Sequence, residues 1–156
     1  MQASGVLAHV LPGAEMRALA PLVHLEAGLA PDAIRRLAVL GGEDPAERLR
    51  LPRADARRLD LLRGLIGSMA GAAELGFVHG AGLARDALLV RAAVLEQPLP
   101  QGWEEAIAEG AGATFPVKAA DLMPALAGPA LGARMADLQA RWIASGFTLG
   151  RDELLR

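Results

Sequence analysis

The chain has 156 residues, one domain or two small ones, and a formal net charge of −2. Apolar residues make up 53% and aromatics 3%, with Ala and Leu dominant and Tyr absent, a balance that favours helices over strands. Cysteine is absent and no run of about 18 uncharged apolar residues exists, which excludes a disulfide framework, a thiolate metal site and a helical membrane span.

The first residues, Met1 to Gly5, carry no basic segment leading into an apolar run, so no signal peptide is expected and a cytoplasmic setting fits. Residues 1–12 read as the end of a preceding segment. Residues 14–27 read as a helix with Met16, Leu19 and Val23 on one face, stopped by Gly28. Pro31 and Asp32 open a second helix whose stripe is Ile34, Leu37 and Leu40. Asp44-Pro45-Ala46-Glu47 reads as N-cap, N1 and N3 of a short helix running to about Leu51. Pro52 then opens a helix over 53–69, lined by Leu59, Leu62, Ile66 and Met69, with Arg53 and Arg57 together on another face.

The Gly-punctuated stretch 71–82 reads as a short helix and a turn, followed by a strongly apolar helix over 83–96 that Pro98 and Pro100 end. A short acidic helix is expected over 103–109 and another short helix over 118–126. Gly128-Pro129 starts a helix striped by Leu131, Met135, Leu138 and Trp142, and residues 150–156 make at most two turns. The expectation is an all-α bundle of about eight or nine short helices: a body over 13–112 and a small tail over 113–156.

Charge is unevenly spread. Fifteen of the 16 cations are Arg, and Arg48, Arg50, Arg53, Arg57, Arg58 and Arg63 cluster within sixteen residues. Glu96, Glu104, Glu105 and Glu109 make 96–112 acidic. On the residues alone, the arginine cluster reads as a solvated helix face with local pairs to Asp55 and Asp60, each worth about 0.2–0.5 kcal/mol. His9, His24 and His79 stand too far apart to form a metal site, and Gly80-Ala81-Gly82 lacks the third glycine of a dinucleotide fingerprint because Arg85 stands there. No nucleophile–base set is present, so no catalytic residue is assigned. A helical protein-interaction or dimerisation domain, forming an oligomer, is an open reading; Trp103, Trp142 and Phe147 grouped at the surface would favour it.

Three stretches carry a resemblance. Val6-Leu7-Ala8-His9-Val10-Leu11-Pro12 resembles a neck end; Leu75-Gly76-Phe77-Val78-His79-Gly80 with Ala84-Arg85-Asp86-Ala87-Leu88-Leu89 resembles a body helix; and Phe115-Pro116-Val117-Lys118, Asp121-Leu122, Gly128-Pro129-Ala130-Leu131-Gly132, Trp142 and Gly146-Phe147 resemble a tail pattern. In this order they resemble the C-terminal region of bacterial tRNA nucleotidyltransferases, the CCA-adding and poly(A)-polymerase-like family, in its alphaproteobacterial branch. The resemblance covers essentially the whole chain. One departure is Ala119, where the family often has glycine; a left-handed backbone there would be costly for alanine.

The resemblance implies an RNA-binding module that positions tRNA for 3′-end nucleotide addition. The catalytic head, with its magnesium, ATP and CTP, would lie elsewhere in the same polypeptide. Consistent with that division, no two acids stand two residues apart, so the metal-holding Asp-x-Asp pair is missing. Glu43-Asp44-Pro45-Ala46-Glu47-Arg48 has one residue too many for the family's nucleotide-selecting Glu-Asp-x-x-Arg and reads as a helix start. The contacts implied for double-helical RNA are Arg48, Arg50, Arg53, Arg57 and Arg58, extended by Lys118 and Arg134.

Overall fold

The structure, a computed structural model, describes residues 5–156; the readings placed on residues 1–4 lie outside them. The described residues form an all-α fold with nine helices: α1 (Val6–Val10), α2 (Leu19–Leu25), α3 (Ala33–Leu40), α4 (Pro45–Arg48), α5 (Arg53–Leu65), α6 (Ala72–Leu95), α7 (Trp103–Gly112), α8 (Gly128–Ala144) and α9 (Arg151–Leu155). Ala119–Asp121 adds a 3-10 turn. The β-structure seen among them is one isolated antiparallel bridge between Ala14 and Gly41. No helix among the described residues is long and apolar enough to cross a membrane.

Helix α6 organises the body, packing on α2, α3, α5 and α7. Its second half is apolar nearly all round, with Ala84, Ala87, Leu88, Leu89, Val90, Ala92 and Ala93 buried, as a helix enclosed by neighbours must be. The helix breaks at Gly80, whose backbone (φ 77°, ψ 163°) only glycine adopts easily. Before the break α6 lies against α7 at unusually short range. A side chain on Gly76 would run into the Ile107 carbonyl, and one on Gly110 into the Ala73 carbonyl, so both positions need glycine for the helices to touch.

A second, smaller core follows. Val117, Leu138, Trp142 and Leu154 are buried together, surrounded by Phe115, Met135, Phe147 and Leu155. Phe77 of α6 joins this cluster and stacks edge-on to Trp142 at 5.3 Å. Met135, Leu138 and Trp142 of the stripe expected along α8 face this core, with Leu138 and Trp142 innermost.

Several boundaries differ from the sequence reading. Helix α2 begins at Leu19, because a helix from residue 14 would hold Pro21 in its interior, whereas from Leu19 the proline sits in the first turn. Its buried face is Ala18, Leu22 and Glu26, and Val23 points outward. Helix α5 ends at Leu65, so Met69 lies beyond it and is 97% exposed instead of lining the body. Asp44 makes no side-chain cap; its own backbone is left-handed, and Pro45 alone starts α4. The helix expected over 118–126 contracts to the 3-10 turn and following turns. Ala119 avoids the left-handed region, so alanine there carries no strain.

Candidate nucleic-acid interface

The arginine-rich segment runs from the end of α4 into α5. Arg48 ends α4, and Arg50 sits in the connecting turn with φ 50°. Arg53 and Arg57 are one turn apart on α5 and share a face turned away from the buried Leu59 and Leu62. All four side chains are exposed, and none makes an ion pair among the described residues. Their exposure matches the reading of a solvated basic face, but the local pairs expected with Asp55 and Asp60 do not form among the described residues.

Arg58 is placed differently. It turns inward, where Nη1 donates to Asp32 Oδ2 at 2.9 Å and Nη2 donates to Asp86 Oδ2. Adjacent residues on a helix point about 100° apart, so Arg57 and Arg58 serve opposite needs. Arg63 likewise folds back, donating to the Gly42 carbonyl at 3.1 Å. Lys118 is exposed and Arg134 pairs with Asp137 at 2.8 Å; both belong to the tail, whose core is separate from that under α5.

Arg58 is the outer member of a charge network that ties α2, α3, α5 and α6 together. Arg35, only 5% exposed, donates through Nε to Glu26 at 2.8 Å, through Nη1 to Asp86 at 2.7 Å and through Nη2 to the Ala30 carbonyl at 3.0 Å. Arg36 grips the second Glu26 oxygen with Nε and Nη2, at 2.9 and 2.7 Å. Asp32 caps α3, accepting from the Arg35 backbone N–H at 2.7 Å. Three guanidiniums meet three carboxylates, and no buried side-chain polar atom among the described residues lacks a partner.

This pairing shifts Glu26, Asp32, Arg35 and Arg58 toward their charged forms. Burial pushes the Glu26 carboxyl up, but the hydrogen bonds and charges of Arg36 and Arg35 outweigh it and hold the group below the ordinary carboxylate range. Asp32 is held low in the same way, with burial opposed by the Arg35 N–H and by Arg58. Burial draws Arg35 and Arg58 down, yet their carboxylate partners raise both overall. Through Arg58, α5 is fixed to the body by ionic contacts with Asp32 and Asp86.

Sequence reasoning missed Glu26, Arg35 and Asp86. A signal was present: Glu26 lies four residues after Leu22 on the buried face of α2, and Asp86 is the one acid within the apolar stretch Leu83–Leu95. Charges at core positions of apolar stretches need partners. Among the described residues no three His, Asp or Glu converge as metal ligands would. The aromatics form no surface patch, since Trp142 is buried and Trp103 and Phe147 are half-buried in different cores. Comparison with family models, with curated proteins and with solved structures finds no match for this chain.

Proposed function

We propose that this chain is an RNA-positioning module, holding the double-helical part of a tRNA for 3′-end nucleotide addition by a catalytic head that is not within these residues. The observation that carries the reading is the exposed, ion-pair-free set Arg48, Arg50, Arg53 and Arg57, of which Arg53 and Arg57 stand on α5, the helix that Arg58 anchors to the body. Guanidiniums bind phosphate oxygens in pairs, and an A-form helix is recognised mainly through its backbone and 2′-hydroxyls. A rigid mount fixes their spacing, which matters more for a duplex of regular geometry than for a flexible strand. The aromatic side chains are turned into cores, which disfavours a base-stacking role.

The family resemblance of the three sequence stretches supplies the choice of tRNA and of nucleotidyl transfer. The residues present do not fit the magnesium and nucleotide of that reaction: no acids stand two apart in the sequence, and no ligand cluster forms among the described residues. Those groups are assigned to the head, and the role left to this chain is to bind and orient.

Fluorescence anisotropy with labelled tRNA tests the proposal. Binding should be measurable at low salt and fall steeply as salt rises, because each phosphate that an arginine neutralises releases counterions. Replacing Arg48, Arg50, Arg53 and Arg57 together by Ala should abolish it, and each single replacement should lower the log–log salt slope by about 0.9. No binding at low salt, or binding indifferent to the fourfold variant, would remove the basis for the module.

A further inference from the structure

Near the break in α6 lies a second polar feature, which the exposed arginines do not use. A cleft of about 300 Å³ lies between α3, α5 and the second half of α6, bordered by Asp32, Arg35, Arg58, Gly82, Arg85 and Asp86. All four oxygens of its two carboxylates are already engaged. Asp86 accepts from Arg35 and Arg58, and Asp32 accepts from the Arg35 N–H and Arg58. With Glu26 and Arg36 these residues sum to zero charge, three arginines on three carboxylates. Arg85 comes on top of that balance. It borders the cleft, is half-buried, and makes no hydrogen bond or ion pair among the described residues. Arg58 uses two of its five guanidinium N–H groups in the network, which leaves it donors to spare.

Gly82 supplies the other wall. It lies within α6, two residues after the break, outside the left-handed region, and a Cβ built there would meet no atom within 4 Å. Alanine would be the more stable helical residue, and no packing in the fold requires glycine. Its bare backbone lines the same cleft as Arg58 and Arg85. First-turn N–H groups lack helical partners and favour anions.

We propose that this cleft binds a single phosphate group, held by Arg85 and the outer edge of Arg58 against the Gly82 backbone. The chemistry available there is that of a phosphoryl group, whose oxygens guanidinium N–H groups bind in pairs. The phosphate is either a free phosphomonoester or one unit of an RNA backbone. The site stands on residues other than Arg48, Arg50, Arg53 and Arg57, so it holds or fails independently of the surface described above.

The test is a ¹⁵N-correlation NMR titration with inorganic phosphate, against chloride at matched ionic strength. Wild-type protein should show saturable shifts at the Gly82 and Arg85 amides that chloride does not reproduce. Arg85→Ala should weaken phosphate binding by about tenfold or more, as removal of one charge-assisted hydrogen-bonding group does, and Arg85→Lys should restore part of it. Gly82→Ala is the sharper variant. It should leave the melting temperature unchanged or raised while weakening phosphate binding, since its methyl group would occupy the phosphate's approach.

Absence of saturable shifts, shifts confined to residues 48–57, or wild-type affinity in both Gly82→Ala and Arg85→Ala would each overturn the site. Given phosphate binding, a loss of tRNA affinity in Arg85→Ala identifies the RNA backbone as the source. Unchanged tRNA affinity identifies a free phosphomonoester.

Discussion

The body and the tail solve the same problem, fixing short helices against one another, with different chemistry. The body core is aliphatic, built from Leu, Ala, Val and Ile, and a network of three arginines and three carboxylates crosses between its helices. The tail core has no buried charge and is closed by Phe77, Phe115, Trp142 and Phe147, with ring centroids 4.9–6.0 Å apart. Leucine and alanine surfaces pack in many nearby registers, whereas a guanidinium fork satisfies its carboxylates in few. The body takes its register from ionic geometry. The tail has too few residues to bury much aliphatic surface, and large rings give it the most contact per residue.

The largest test of that contrast is Asp86→Ala. It strips Arg35, only 5% exposed, and Arg58 of a shared partner. Stranding a buried charge costs about 3–5 kcal/mol, so chemical denaturation should show the loss, and hydrogen exchange should show it in α2, α3, α5 and α6 more than in α8. Equal loss of protection in α8 would mean the two cores are not separable. Trp142→Ala is the converse. It should cost about 3 kcal/mol, the low end for tryptophan, because so small a core can collapse around the gap. Protection should fall in α8 and α9 while Leu88, Leu89 and Val90 keep theirs.

Gly110→Ala probes the junction, because α7 precedes the tail and crosses α6 beside Phe77. An added methyl group meets the Ala73 carbonyl and carbon, backbone that cannot rotate aside, so the helices must separate. Overpacking of this kind costs about 2 kcal/mol. The loss should register in both cores, as a lower melting temperature and altered tryptophan fluorescence.

The sequence made the two regions legible to different degrees. Helix α8 was plain, since Leu131, Met135, Leu138 and Trp142 recur at helical spacing and Gly128-Pro129 marks the start. The outward face of α5 was legible too, because Arg53 and Arg57 lie away from Leu59 and Leu62. The inward turn of Arg58 was not, because its partners Asp32 and Asp86 are 26 and 28 residues away in the chain, and spacing rules reach only one helical turn. The same limit hid the network as a whole and the cleft at Gly82, which exist only where α3, α5 and α6 converge. Met69 was misplaced for a local reason: α5 stops at Leu65, and Arg91 holds the next loop by the Ser68 and Ala70 carbonyls.

Acid should separate the regions further. Glu26 and Asp32 have folded pKa values below their ordinary 4.5 and 3.8. A depressed folded pKa stabilises the native state fully above the unfolded value, and that contribution is lost as pH falls through the folded one. The body should therefore keep its stability at neutral pH and weaken progressively below about pH 4.5. The tail core holds no buried carboxylate and should lag behind. Circular dichroism at 222 nm alongside the fluorescence of a Trp103→Phe variant, in which Trp142 alone reports the tail core, checks this across pH 2–6. Simultaneous loss of both signals would place the acid-sensitive groups outside the network.

The smallest effect belongs to the tail's own ion pair. Arg151 donates to Asp121 at 2.9 Å, and Asp121 also accepts from the Lys118 backbone N–H at 2.8 Å. These bonds hold the Asp121 carboxyl below its ordinary range, as happens in the body. The pair contributes little to stability, since Arg151 is half-exposed and salt screens it. Asp121→Asn should leave the melting temperature within error at 150 mM salt, which is about physiological ionic strength, whereas the same change at Asp86 lowers it clearly. A large effect at Asp121 would show that the tail, too, takes its register from charge, and the contrast between ionic body and aromatic tail would fail.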